Sequence, residues 1–163
     1  MNNLLVEEAR EPRTIPSGSD LNIKKVLVAV DLSPNSEQTA VYAAEFAARF
    51  GASVTLVHVC SPKETREVTG SKDSRFDDPM IAPEKKLENL VRKVRRTYPT
   101  CSAYLYVGDP ADRIVMAAEI LRADLIVTGS RYAKSLAGLF GLDQPSRIVH
   151  RAPCPVLVYR DSN

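Results

Sequence analysis

The sequence predicts an α/β fold in which a five-stranded parallel sheet carries helices on both faces. Two observations predict this fold class. Five short apolar runs alternate with segments of helical periodicity, in the order β-α-β-α-β-α-β-α-β. Most of the runs are continuously apolar, which is typical of strands covered on both faces. The connections are long enough to contain helices, as parallel strands require.

The predicted strands are rich in valine, leucine and isoleucine, which favour a pleated and buried surface. The first strand begins directly after two lysines. The five runs are Val26–Val30, Val54–Val59, Ala103–Val107, Asp124–Thr128 and Pro155–Tyr159.

The first predicted helix begins at Ser33, a residue type that favours the N-cap, with Pro34 at the first helical position. Gly51 is expected to end it. Its apolar residues recur at spacings of three and four and are expected to face the core. They are Ala40, Val41, Ala44, Ala47 and Ala48.

Three more helices are predicted between the remaining strands. One runs from about Glu84 to Thr97, one begins at Asp109 and Pro110, and a short one runs roughly from Asp143 to Arg151. Their expected inward residues are Leu87, Leu90, Val91 and Val94, then Ile114, Ala117, Ala118 and Leu121, then Ile148 and Val149.

Two polar segments lie outside this alternation. Residues 1–22 show no sustained apolar period, so we expect a flexible leader before one domain over residues 23–163. Ser61–Ala82 is longer than usual loops and has no apolar period. We expect this insert to be a mobile flap or a disordered segment.

Composition disfavours several classes of function. The 163 residues, 44% hydrophobic and 26% charged, fit one soluble globular domain. A net charge of +2 gives no reason to expect a nucleic acid or an anionic membrane as partner. No run approaches the roughly 18 apolar residues of a membrane span. Three cysteines without CxxC spacing predict neither a disulfide framework nor a zinc site, and they favour a reducing compartment.

Candidate binding residues follow the first and fourth strands. In doubly wound sheets, ligands bind at the carboxyl ends of strands where the strand order reverses. Asp31 can accept hydrogen bonds there from a ribose or base edge, or it can be a turn or helix-capping acid. Gly129-Ser130-Arg131 opens a loop whose backbone N–H groups can hold an anion, or which is simply flexible.

The sequence lacks the motifs that mark common catalytic sites. It contains no GxxxxGK[ST], GxGxxG, GxSxG or HExxH. His58 lies inside a predicted strand and is expected to be packed there, and His150 has no matching acid or nucleophile. The sequence therefore predicts a protein that is not an enzyme, without a metal site.

Five segments, taken in order, resemble the universal stress protein family over about Lys24 to Arg160. They are Lys25–Ser33, Leu56–Val59, Gly108–Pro110, Ala123–Arg131 and Ile148–Val158. The resemblance implies a five-stranded parallel sheet and a homodimer through the last strand, Pro155–Tyr159. It also implies a cytoplasmic role in the stress response. Simple core packing at the sheet margin is the other explanation for that strand.

The resemblance also implies a nucleotide site, because one branch of the family binds ATP. Its loop reads Gly-x-x-Gly, nine residues, then Gly-Ser or Gly-Thr. Counted from Gly129, this chain has Tyr132 at the second glycine and Leu142-Asp143 at the closing pair, with Gly141 one place early.

The base and ribose half of the site is retained. Asp31 matches the nucleotide-contacting acid of the family, and Val59 matches its adenine-side backbone contact. If ATP or AMP binds, the resemblance assigns the contacts to Asp31, Val59, Gly129, Ser130, Arg131 and Gly141.

The altered loop predicts weak binding of phosphates. As an N-cap acid, Asp143 would occupy the free N–H groups of the last helix and repel a phosphate. Two like charges about 4 Å apart cost about 4 kcal/mol at an effective dielectric constant of 20. Tyr132 adds a side chain where the backbone should approach the ligand closely.

These residues predict a dimeric stress-response protein that acts through contacts with an unidentified protein, with ATP binding weakened or lost. The alternative is a switch driven by ATP or AMP. An adenylating enzyme is a third interpretation. It would need an SGGxxS-like or HxGH-like loop where this chain reads Asp31-Leu32-Ser33-Pro34.

Overall fold

The computed structural model describes residues 22–60, 83–130 and 144–160. Within these ranges five strands alternate with four helices. The strands are β1 Lys25–Ala29, β2 Ser53–Cys60, β3 Cys101–Val107, β4 Leu125–Gly129 and β5 Val156–Tyr159. The helices are α1 Pro34–Ala48, α2 Pro83–Arg95, α3 Pro110–Leu121 and α4 Gln144–Arg151. All but residue 22 of the predicted leader, and the whole predicted insert, lie outside the described residues.

The five strands form one parallel sheet in the order β3-β2-β1-β4-β5. The chain leaves β1 towards β2 and β3 on one side and returns to β4 on the other. The strand order therefore reverses between β1 and β4, where ligands bind in open α/β sheets. The predicted sheet is confirmed.

Both faces of the sheet are covered because successive strand residues point to opposite sides. In β1 and directly after it, Val26, Val28 and Val30 pack with α1 and α2. Leu27 and Ala29 pack with α3 and α4 on the other face. Two separate cores explain why the run is apolar without alternation.

The predicted stripe of α2 is confirmed, since all four of its apolar residues are buried. Two other stripes need correction. On α1, Val41 and Ala48 are exposed, and the buried alanines are Ala40, Ala43, Ala44 and Ala47. On α4, Ile148 is buried but Val149 is 51% exposed. Adjacent residues lie about 100° apart around a helix, so residues at the margin of the buried stripe, such as Val41 and Val149, turn towards solvent.

Candidate functional site

Asp31 stands at the carboxyl end of β1, in a tight turn that leads into α1. Its Oδ1 accepts hydrogen bonds from the Ser33 N–H at 3.0 Å and from the Ser36 hydroxyl at 2.5 Å. The Ser36 Oγ in turn accepts the Asp31 N–H at 3.0 Å. Leu32, between them, has a φ of 59°, a conformation that is uncommon for a residue with a side chain.

These contacts change the protonation of Asp31. Burial alone would raise the pKa of the carboxyl, but hydrogen bonds from Ser33 and Ser36 outweigh burial and lower the pKa. Asp31 is therefore a carboxylate at neutral pH and a turn residue at once. Ser33 occupies the N-cap position of α1 as predicted, but its side chain makes no capping hydrogen bond.

Val59 and His58 lie near the carboxyl end of the neighbouring strand β2. Val59 is buried, and it pairs with Tyr106 of β3. His58 is also buried, and its Nδ1 lies 2.8 Å from the carbonyl oxygen of Val30. Because a carbonyl only accepts, Nδ1 carries the proton. His58 is a packed strand residue, as predicted, and it ties β2 to the residue before Asp31.

Gly129 ends β4 on the other side of β1, and Ser130 follows it. A Cβ on Gly129 would lie 3.0 Å from the Thr39 Oγ1, so a larger residue there would require the Thr39 side chain on α1 to shift by a few tenths of an ångström. A cavity of about 20 Å³, room for about one water, separates Gly129 from Asp31. Its lining residues are Ala29, Asp31, Ser33, Asn35, Ser36, Thr39 and Gly129.

The structure thus brings Asp31, Val59 and Gly129 to one edge of the sheet, since all three stand at the carboxyl ends of adjacent parallel strands. Arg131 and Gly141 lie outside the described residues. Their part in a nucleotide site stays a prediction. Nearby, Thr128 is fully buried, and its hydroxyl has no hydrogen-bond partner in the part of the chain that the structure describes.

A second polar group at this edge was not predicted. Asp109 caps α3, accepting the Asp112 N–H at 3.1 Å. Both of its oxygens also accept from Arg147 of α4, at 2.9 and 3.0 Å. Arg151, one turn along α4, donates to Asp112. We call these four residues the α3–α4 ion cluster.

Within the α3–α4 ion cluster, the pair of Asp109 and Arg147 favours the charged form of both residues. Burial alone would raise the pKa of Asp109, but the hydrogen bonds from Arg147 and the Asp112 amide lower it. The same bond raises the pKa of Arg147. The sequence shows the cap, Asp109-Pro110, but nothing in it indicates a partner 38 positions away.

Two general findings concern the described residues as a set. No group of three or more His, Cys, Asp or Glu side chains among them is placed to hold a metal ion. None of the helices in the described ranges is long and apolar enough to cross a membrane.

Comparison with known proteins gives the family. Residues 22–160 match the model of the Universal stress protein family. The chain belongs to the universal stress protein family. The resemblance seen in the sequence is thereby confirmed.

Curated relatives align with most of this universal stress protein. One from Thermus aquaticus, the universal stress protein in the QAH/OAS sulfhydrylase 3′ region, is 34% identical over 143 residues. That match covers 84% of this chain and 98% of the relative.

Two solved structures of the family align over most of the chain. A universal stress protein from Archaeoglobus fulgidus, in complex with dAMP, aligns with a TM-score of 0.60 and 25% identity. The match covers 84% of this chain and 98% of that one. A family protein from Arabidopsis thaliana with AMP bound aligns with a TM-score of 0.56 and 26% identity, covering 85% and 92%.

Proposed function

We propose that this universal stress protein acts in the cytoplasm as a homodimer through β5, with ATP binding weakened or lost. It works through contacts with another protein rather than through catalysis. The family supports a role in the stress response. The single observation that carries the dimer is the open edge of the sheet at β5.

Among the strands that the structure describes, none pairs with the outer side of β5, which carries apolar side chains. The Ile126 N–H donates to the Pro155 carbonyl at 3.0 Å. In a parallel ladder the N–H groups alternate in direction, so that of Leu157 faces β4 and that of Val158 faces outwards. Val158 is 44% exposed. Such an edge is a template for a second strand, and a two-fold axis lets it pair with its own copy.

An aromatic contact extends this edge onto α1. The rings of Tyr42 and Tyr159 stack with their centroids 4.7 Å apart. Val41, which the sequence placed in the core, is exposed beside Tyr42 on the same helix. The apolar surface that a second copy would cover therefore includes part of a helix as well as a strand.

Val158→Asp tests the dimer, because a charge on an edge strand opposes pairing with another strand. We expect the wild-type chain to elute from a sizing column at twice its 17.9 kDa mass and the variant to elute as a monomer. Val149→Asp is the matched control, because Val149 on α4 is also about half exposed, at 51%. Leu157 is less suitable because it packs against the core.

The dimer proposal fails if the wild-type chain elutes as a monomer at tens of micromolar. It also fails if Val158→Asp stays dimeric with an unchanged circular dichroism spectrum.

A nucleotide-dependent switch is the second candidate function. The convergence of Asp31, Val59 and Gly129 at one edge favours it, and so do the two relatives seen with dAMP and AMP. Both of those ligands carry a single phosphate. A site with an intact base and ribose half and an altered phosphate half would favour AMP over ATP.

A further inference from the structure

The α3–α4 ion cluster has the geometry of a phosphate site occupied by a carboxylate. Arg147 holds both oxygens of Asp109 with its two terminal nitrogens, at 2.9 and 3.0 Å. The planar guanidinium fork fits two oxygens of a phosphate in the same way. Its Nη2 also lies 3.7 Å from Asp112. Asp109 and Asp112 thus stand where an anionic ligand would be held.

The cluster lies at the carboxyl ends of the strands, where the candidate nucleotide site also lies. Asp109 follows β3 and Arg147 is in the first turn of α4, so both belong to the carboxyl end of the parallel sheet. The Arg147 side chain is 30% exposed and that of Asp109 is 38% exposed. A ligand arriving from solvent at this edge can therefore reach the pair.

Asp109 can release Arg147 without uncapping its helix. The Asp112 N–H, at 3.1 Å, still binds the Asp109 carboxylate and caps α3. The cluster pairs two arginines with two aspartates, and Asp112 still neutralises Arg151 when Asp109 releases Arg147.

We propose that Arg147 is a phosphate-binding residue that Asp109 occupies in the free protein. A phosphate of an adenine nucleotide then binds by displacing the Asp109 carboxylate from Arg147. The proposal rests on the nucleotide site suggested above, and it adds a built-in competitor to the reasons for weak ATP binding.

The test is whether substitutions of Asp109 and Arg147 change the affinity for phosphates in opposite directions. We expect Asp109→Asn, which keeps an N-cap acceptor, to raise affinity for ATP and for inorganic pyrophosphate about tenfold, the size of one charged hydrogen bond. Arg147→Gln should lower both affinities by a similar factor. Adenosine, which has no phosphate, should bind all variants alike. Isothermal titration calorimetry on the full chain measures each affinity.

Glu37→Gln is the matched control. It removes the same charge and frees Lys93 from an ion pair of 2.5 Å between α1 and α2. It should leave pyrophosphate affinity unchanged. If Asp109→Asn fails to fold, Asp109→Ser is the substitute, because serine also caps helices.

If the ion pair only holds α3 to α4, Asp109→Asn and Arg147→Gln should change the affinities for ATP and pyrophosphate in the same direction. That result overturns the proposal. So does a failure of pyrophosphate to bind Asp109→Asn. If adenosine binds no variant while pyrophosphate affinity moves in opposite directions, the phosphate role of Arg147 is supported and the adenine site is rejected.

Discussion

The carboxylate of Asp31 is already hydrogen-bonded within its own turn, and this has a measurable effect on stability. Its pKa is lower in the folded chain than in the unfolded chain. The carboxylate therefore stabilises the fold at every pH above its ordinary value of about 3.9. That contribution is lost as the pH falls through the lowered folded-state pKa.

Replacing Asp31 with asparagine should lower the free energy of unfolding by about 1.5 kcal/mol at pH 7, the size of a charged hydrogen bond. The deficit should shrink as the pH falls below 4 or so, because the wild-type carboxyl then becomes neutral as well. Urea unfolding from pH 7 to pH 2.5 measures this. Glu45→Gln, at an exposed carboxyl of α1, serves as control. A deficit that is independent of pH would contradict the argument.

Single residues could be predicted from the sequence where their role depends on near neighbours. His58 as a packed residue follows from the apolar segment around it, and a turn acid is one of the two roles that the sequence leaves open for Asp31. The bond from Arg147 to Asp109 could not be predicted, because it depends on the packing of two helices far apart in the chain. Ser36 was missed because its hydroxyl folds back across a turn with a positive φ at Leu32.

At the scale of elements, periodicity placed each strand and helix of the described ranges within a few residues. It failed on orientation in α1 and α4, where Val41 and Val149 face outwards. Alanine and valine are both apolar, so spacing alone cannot choose between adjacent residues. The smaller residue is selected at α1 because the helix lies close against the sheet, with its buried stripe made of alanines.

The turn between β3 and α3 depends on Gly108. Its φ is 140°, and a Cβ there would lie 2.7 Å from the Arg113 Nε. Gly108→Ala should therefore cost about 3 kcal/mol, because backbone strain is added to the loss of the Arg113 bond to Val107. Gly51, with a φ of 64° and open space around it, is the matched site, and Gly51→Ala should cost only about 1 kcal/mol.

Urea unfolding of the two glycine variants, followed by circular dichroism, measures the difference. Equal costs would show that Arg113 moves aside freely and that the turn is less constrained than its geometry indicates.

At the scale of the whole molecule, the reversal of strand order between β1 and β4 divides the candidate site into two halves. The half around Asp31 and Val59 is carried by β1, β2 and their hydrogen bonds. The other half depends on Gly129, on the segment that follows it, and on α4. Asp31 and Val59 are placed by strands that the sequence predicts. The second half of the site includes residues outside the described ranges. Its affinity for phosphates must be measured.

The sequence of the loop after Gly129 predicts which substitutions should raise the affinity for ATP. Replacing Asp143 with serine and Tyr132 with glycine removes one negative charge and one bulky side chain from the predicted phosphate half. ATP affinity should rise by at least tenfold, because even a fraction of the repulsion of about 4 kcal/mol between close like charges is worth that factor. AMP affinity should rise less, since AMP carries fewer charges. Titration calorimetry with both ligands, with Glu45→Gln as the charge control, measures the two changes.

The wild-type protein, denatured after purification, should release no ATP on anion-exchange chromatography. Co-purified ATP, or a double variant that gains no affinity for ATP, would refute the interpretation that this loop is what weakens the site.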